Sequence, residues 1–282
     1  MLRPVFAAPV AVLTIRSRFR TAGFVLLLLL ATLGVAVPVA TIRAETIRIG
    51  ATAGPHAQIL EAVKPIAAAA GLDLQILEFT DYNVPNAALA DGDLDANSFQ
   101  HQPYLDNQVK DRGYDLVSVA KTVIFPLGVY SHKIKSLDAL KSGDTIAVPN
   151  DPTNGGRGLL LLQAKGLITL RADAGMKASR IDIVGNPRNL KIVELDAAQL
   201  PRSLDDVAAA TINTNFAMEA GLSPDHDAIA REDADSPYAN VIAVRNKDKD
   251  QPWVAKLVAA YHSDQVRQFI AEKFKGSVLA AW

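Results

Sequence analysis

The chain has 282 residues, 49% of them hydrophobic and 21% charged, with 29 basic and 30 acidic side chains. That length allows one large or two medium domains with a sizeable core. The sequence contains no cysteine, which excludes disulfides, thiolate metal sites, a cysteine nucleophile and acylation on cysteine.

The first 44 residues differ from the rest. They carry Arg3, Arg16, Arg18, Arg20 and Arg43 but no acidic side chain, and an apolar run from Thr21 to Ala36 lies between Arg20 and Arg43. A basic flank, a short apolar run and small residues afterwards are the layout of a secretory signal. A membrane-spanning helix wants about 20 apolar residues, and this run is shorter. Cleavage is expected after Ala44, since cleavage after Ala40 would put Pro38 at the −3 position; the other reading is an uncleaved amino-terminal anchor. Loss of residues 1–44 removes five of the 29 basic residues and none of the 30 acidic ones. The remainder, 24 basic against 30 acidic, carries a net charge of −6. No basic stripe remains that could grip nucleic acid.

Along the remaining chain, Thr46–Thr52 alternates as a strand does, and Gly54-Pro-His56 turns into a helix running to about Ala70. Its apolar positions Ile59, Leu60, Val63, Ile66 and Ala67 fit a 3.6-residue period, and Gly71 stops it. Pro65 inside it should bend the helix or remove one hydrogen bond. Asp73–Phe79 is a second strand, Asn83–Ala90 a short helix, and Asp91-Gly-Asp-Leu-Asp95 leads into a strand ending near Asn97. The alternating acids resemble a calcium loop, but Ala96 stands at the turn glycine and Gln102 at the closing glutamate. Helix signals resume at Pro103, and Leu116–Tyr130 is mostly extended, interrupted at Pro126. Thr145–Pro149 reads as a strand, followed by a polar turn through Gly156 and a helix from Arg157 to about Lys165. Leu190–Leu195, Ala210–Asn213 and Tyr238–Arg245 read as strands, Leu204–Ala209 as the start of a short helix, and Trp253–Ile270 as one terminal amphipathic helix.

Strands alternating with helices imply parallel sheets covered on both faces, and there are more strands than one sheet of this size needs. Two α/β lobes follow. With crossings near 122–127 and 240–246, one lobe comprises 45–124 plus 246–282 and the other 125–245.

Ligands in open α/β folds sit beyond the carboxyl ends of strands. Those ends supply Thr52 to His56, Phe79 to Asn83, Asn97 to Tyr104, Asn150 to Arg157, Asn213 and Asn215. The inventory is rich in rings and side-chain amides and holds one arginine. In Asn150-Asp-Pro-Thr-Asn-Gly-Gly-Arg157, Thr153 or Asn154 is expected as the helix cap and Arg157 within the first turn. Free backbone N–H groups and a guanidinium fork there would make a small-anion site. The stretch Asn97-Ser-Phe-Gln-His-Gln-Pro-Tyr104 would supply a facing wall of rings. Such a pair of walls suits a zwitterion with an apolar or thioether tail. The plainer alternatives are core packing for Phe99 and Tyr104, a rim position for Tyr82 and a structural role for His101. The five histidines show no metal-ligand spacing, no nucleophile-turn motif occurs, and no Gly-Lys-Ser/Thr follows the glycines. Binding without chemistry is therefore the favoured reading, with no cofactor called for.

Several blocks carry a resemblance: Thr52-Ala-Gly-Pro-His56, Asp81-Tyr-Asn83, Asn97 to Leu105, Val148 to Asn154, Leu190 to Leu195, Gln199 to Asp206, Ile212-Asn-Thr214 and Ser236-Pro-Tyr238. In number and order they resemble the methionine-binding NlpA/MetQ family, the substrate-binding proteins of methionine ABC importers. The resemblance implies a two-lobed, type II periplasmic-binding-protein fold with its ligand cleft between the lobes. It places Tyr82, Phe99, His101 and Tyr104 around a methionine side chain. It makes Arg157 the carboxylate partner, with Asn154, Asn213 and Asn240 as further polar contacts. It also implies L-methionine as ligand, the permease and ATPase of an ABC importer as partners, a periplasmic location and a monomer. Many members are lipoproteins anchored through a cysteine after the signal, an anchor this sequence lacks. The alternatives are the same fold binding D-methionine, a methionine-containing dipeptide or another apolar amino acid, or an exported α/β enzyme or surface adhesin.

Overall fold

The computed structural model describes residues 44–233 and 236–282. The expected export segment, 1–44, lies outside them except for Ala44. The chain opens with β1 (Glu45–Thr52), α1 (Pro55–Ala69) and β2 (Leu72–Phe79). β1 and β2 pair in parallel over their whole length, as a right-handed crossover through a helix requires. α1 buries Ile59, Leu60, Val63 and Ala67 on one face, as its 3.6 period predicts. Pro65 does not break it: the residue is on the exposed face, where a carbonyl left without its N–H can bond water. Gly71 follows at φ 81°, a conformation that costs glycine little, and its N–H returns to Ala68 O.

Next come α2 (Val84–Asp91), β3 (Ala96–His101), α3 (Gln102–Arg112) and β4 (Leu116–Ile124). β3 runs four residues beyond its expected end at Asn97, so Ser98 to His101 belong to the strand rather than to the turn after it. The chain then leaves this sheet and builds β5 (Gly128–Tyr130), β6 (Thr145–Pro149), α4 (Pro152–Ala164), β7 (Thr169–Leu170), β8 (Ile183–Gly185), β9 (Lys191–Leu195), β10 (Ala209–Ile212), α5 (Thr214–Glu219) and β11 (Ala228–Arg231). The helix expected to begin at Leu204 is the end of a 3-10 segment, Ala197–Asp205. The chain returns with β12 (Ala239–Arg245), α6 (Pro252–Tyr261), α7 (Asp264–Phe274) and β13 (Leu279–Ala280). The single terminal helix expected over Trp253–Ile270 is two, because Ser263 starts a new one by accepting the Val266 N–H at 3.3 Å.

One sheet has the order β13-β4-β12-β3-β1-β2 and the other β11-β5-β10-β6-β9. Neither is purely parallel, contrary to expectation. β12 lies antiparallel between β3 and β4, and β5 is antiparallel to both β10 and β11. The cause is the double crossing: the segments that carry the chain from one sheet to the other enter their sheets against the run of the βαβ strands. β12 also corrects the expected boundary at 245. Its hydrogen bonds to β3 and β4 put it in the first lobe, so the chain has returned before Ala239 rather than at 240–246. The outward crossing occupies 125–127. The two crossings touch: the Glu232 N–H donates to Leu127 O and the Leu127 N–H donates to the Glu232 carboxylate, both at 2.9 Å.

Each lobe has its own core. Ile49, Leu60, Val63, Leu74, Ile242, Leu257 and Tyr261 meet in the first. Leu127, Val129, Ile146, Val148, Leu159 and Leu162 meet in the second. Each such buried side chain contributes roughly 1.5–3 kcal/mol by removal from water, which makes two firm supports for whatever lies between them.

Candidate ligand-binding site

A narrow cavity lies between the lobes, walled by residues from both. Residues that line it include all eight of the expected positions: Tyr82, Phe99, His101, Tyr104, Asn154, Arg157, Asn213 and Asn240.

The ring wall is built by β3 and the start of α3. His101 ends the strand and caps the helix, its Nδ1 accepting the Tyr104 backbone N–H at 3.1 Å. A backbone N–H can only donate, so Nδ1 is bare and the proton sits on Nε2. Nε2 then donates across the cleft to Asn154 Oδ1 at 3.1 Å. Burial, assisted by the Arg157 charge and opposed by the Asn154 hydrogen bond, pushes the His101 pKa down to about 3. The imidazole is therefore a neutral ring with both nitrogens engaged, and what it offers a ligand is its face. Tyr82, Phe99 and Tyr104 form a triangle with centroid separations of 5.9–6.1 Å, and Phe216 backs Tyr82 at 4.9 Å, the spacing of edge-to-face and tilted ring contacts. Core packing and a binding wall are not alternatives here: Phe99 and Tyr104 are 2% and 3% exposed, and both still face the cavity.

The amides interleaved with those rings have their own work. Asn86 and Gln100 exchange two hydrogen bonds of 2.7 Å, and Asn97 bonds to both. This closed buried cluster stiffens β3 behind the rings. Gln102 instead points away and donates to Asp106 at 2.7 Å on an exposed face of α3.

The facing wall departs from expectation in two ways. α4 begins at Pro152, capped by Asp151, whose carboxylate accepts the Thr153 and Asn154 backbone N–H groups at 3.2 and 2.9 Å. Neither Thr153 nor Asn154 is the cap, Arg157 sits in the second turn, and these first N–H groups are already bonded. Pro152 sets this start, because its fixed φ and missing N–H suit the first helical position. Gly155, Gly156 and Gly158 lie inside the helix, where a Cβ would press on Pro149 O at 2.7 Å, Ala178 N at 2.9 Å and Thr211 Oγ1 at 2.6 Å. They permit a helix to lie close against its neighbours and do not form an anion loop.

The second departure concerns the guanidinium of Arg157. Its Nε donates to Glu232 Oε1 at 2.8 Å and Nη2 to Glu232 Oε2 at 2.5 Å, while Nη2 also donates to Phe125 O at 2.8 Å. The Tyr238 ring lies 4.3 Å below it. One edge of the fork is thus occupied from within the chain, and Nη1 has no hydrogen-bond partner among the described residues. A ligand carboxylate would be met by Nη1 alone, on a guanidinium whose charge Glu232 balances from the other edge.

Asn154 is fully engaged. Its Nδ2 donates to both Asp151 oxygens at 3.1 and 2.9 Å, and its Oδ1 accepts from His101 and, at 2.8 Å, from Asn213. It aligns its neighbours. Asn213 Oδ1 and Asn215 Nδ2, by contrast, are buried without partners among the described residues. They leave an acceptor and a donor at the cavity, and Asn240 on β12 makes no hydrogen bond through its amide among those residues. The cavity also holds His56, Gln100, Phe125, Thr214 and Asn215, which were not among the expected contacts. Asn215 ties the lobes together by accepting the Tyr82 hydroxyl at 2.5 Å. His56 and Asn215 stand at strand ends and were legible as candidates. Phe125 is recognisable only once the crossing is placed, and nothing in the sequence links Glu232 to Arg157.

Two α/β lobes joined by paired crossings and closed on a small cavity of rings, amides and one arginine define a type II periplasmic binding protein. The NlpA lipoprotein family model matches residues 47–282, and the chain belongs to that family, one of binding proteins rather than enzymes. It is 53% identical over 239 residues to the D-methionine-binding lipoprotein MetQ of Salmonella typhimurium, covering 84% of this chain and 88% of that one. The corresponding Escherichia coli K12 protein is 51% identical with the same coverage. Among solved structures, a nutrient-binding protein from Burkholderia cenocepacia bound to methionine is 58% identical, with a TM-score of 0.82, covering 84% of this chain and all of that one. The 282 residues contain no cysteine, so the lipid attachment in the family's name has no acceptor among them.

Proposed function

We propose that this protein captures L-methionine in the cleft outside the cytoplasmic membrane and delivers it to the permease of an ABC importer. The observation that carries the reading is the pairing, in one interlobe cavity, of a ring wall with a single cationic Nη1 and unpartnered amide groups. Tyr82, Phe99, His101 and Tyr104 hold the thioether tail, with sulfur–aromatic contacts of about 0.3–1.5 kcal/mol each. Arg157 Nη1 meets the carboxylate. Asn213 Oδ1 accepts from the ammonium, Asn240 completes the polar end, and Asn154 orients Asn213 and His101. Relatives named for D-methionine and a solved relative bound to methionine support methionine of either hand as the ligand. The export reading of residues 1–44 supports a periplasmic location, where the protein works as a monomer without a cysteine-linked lipid.

The test is to denature freshly purified protein, identify what it releases by mass spectrometry, and titrate the refolded protein with L- and D-methionine. Stoichiometric methionine with tighter binding of the L form is expected. Preference for the D form, a dipeptide or another amino acid would change the ligand but keep the class. An empty protein whose melting temperature no amino acid raises would sink the proposal, since ligand at a hundred times Kd adds about 2.7 kcal/mol of stability.

A further inference from the structure

Arg157 is the one charged side chain among the described residues lining the cavity, and it is 2% exposed. His56 and His101 also line it, but burial holds both neutral. Asp151 lies behind Asn154, its carboxylate bonded to the start of α4. The positive charge of Arg157 is matched by Glu232, which is 14% exposed, bonds two guanidinium nitrogens and accepts the Leu127 N–H. The site is therefore balanced before any ligand arrives, although Glu232 does not touch the cavity. A zwitterion preserves the balance. A carboxylate lacking the amine would bring a second negative charge to one buried guanidinium, in a medium where charges are weakly screened.

We propose that Glu232 is a specificity-determining positioning residue: by neutralising Arg157 from behind, it makes the cleft select zwitterionic amino acids over monocarboxylates with the same side chain. Glu232 also aims Arg157, since the carboxylate and Phe125 O hold Nε and Nη2 and leave Nη1 toward the ligand. The inference rests on the methionine reading above, and the test separates the two.

The affinities of the wild-type protein, Glu232→Gln and Glu232→Asp for L-methionine and for 4-(methylthio)butanoate, the same molecule without the amine, are measured by calorimetry. The wild type should bind methionine and strongly reject the butanoate. Glu232→Gln should narrow that ratio about tenfold or more, because charges a few ångströms apart in a partly buried site interact at this scale. Glu232→Asp, which keeps the charge but not the reach, should lose affinity while retaining the wild-type ratio. An unchanged ratio in a Glu232→Gln protein that melts cooperatively would overturn the inference and leave methionine binding standing. Should Glu232→Gln not fold, a collapsed ratio in Glu232→Asp overturns it and a retained ratio supports it. A wild type that does not bind methionine overturns the functional reading and this inference with it.

Discussion

His101 Nε2 donates to Asn154 Oδ1 at 3.1 Å, and this hydrogen bond joins the two lobes across the cleft. With Tyr82 donating to Asn215 at 2.5 Å, it marks a closed arrangement in which residues that hold a ligand also hold the lobes together. Capture and closure then share one set of contacts, so a ligand that fits both walls stabilises the closed form by its preferential affinity for it.

The interlobe bond of Tyr82 can be removed without removing its ring. Tyr82→Phe should weaken methionine binding about fivefold to tenfold, the equivalent of one neutral hydrogen bond of roughly 1 kcal/mol. Tyr82→Ala, which also opens the ring wall, should cost considerably more. Calorimetric titration of both variants checks the order.

Arg157→Ala should abolish the methionine-dependent rise in melting temperature. It should also destabilise the empty protein, by about 3 kcal/mol, because Glu232 would be left largely buried without its partner. Urea denaturation with and without methionine reads both effects. An empty variant as stable as wild type would show that the Arg157–Glu232 pair is not a structural tie.

Two histidines set a pH dependence. Burial pushes His56 down to about 3, and His101 reaches about 3 through burial and the nearby Arg157 charge. The unfolded chain takes up these protons near pH 6.5, before the folded one does. Stability is thus complete above about pH 6.5 and falls between there and about pH 3, by up to about 1.4 kcal/mol per pH unit for each histidine. Denaturation curves at pH 7, 6, 5 and 4 measure the slope, and His56→Gln should remove its own share.

The helix carrying Arg157 is packed too tightly to accept a side chain at Gly156, where a Cβ would meet the backbone N and O of Ala178 at 2.9 and 3.1 Å. Gly156→Ala should cost about 1–3 kcal/mol through overpacking. It should also lower methionine affinity by displacing Arg157. Thermal melts and titration of the variant test both, and an unaltered melt would contradict the close packing.

The sequence by itself was enough for a two-lobed α/β plan, the family resemblance and eight residues that the fold brings to one cavity. Apolar periodicity places each element, and seven of the eight residues stand at strand ends, where open sheets gather their ligands; Asn240 is implied by the resemblance alone. Tertiary structure decided the rest. β12 joins the first lobe because its backbone pairs with β3 and β4, a choice its own buried apolar run does not encode. Gly155 and Gly156, before Arg157, read locally as a turn, yet they are helical because Asp151 and Pro152 start the helix earlier. Arg157 looked like an open fork for an anion. Its partner, Glu232, is 75 residues away in the chain, and only the meeting of the two crossings brings that carboxylate under the guanidinium. Charge compensation depends on distance in space, and so it becomes visible only when the chain is folded.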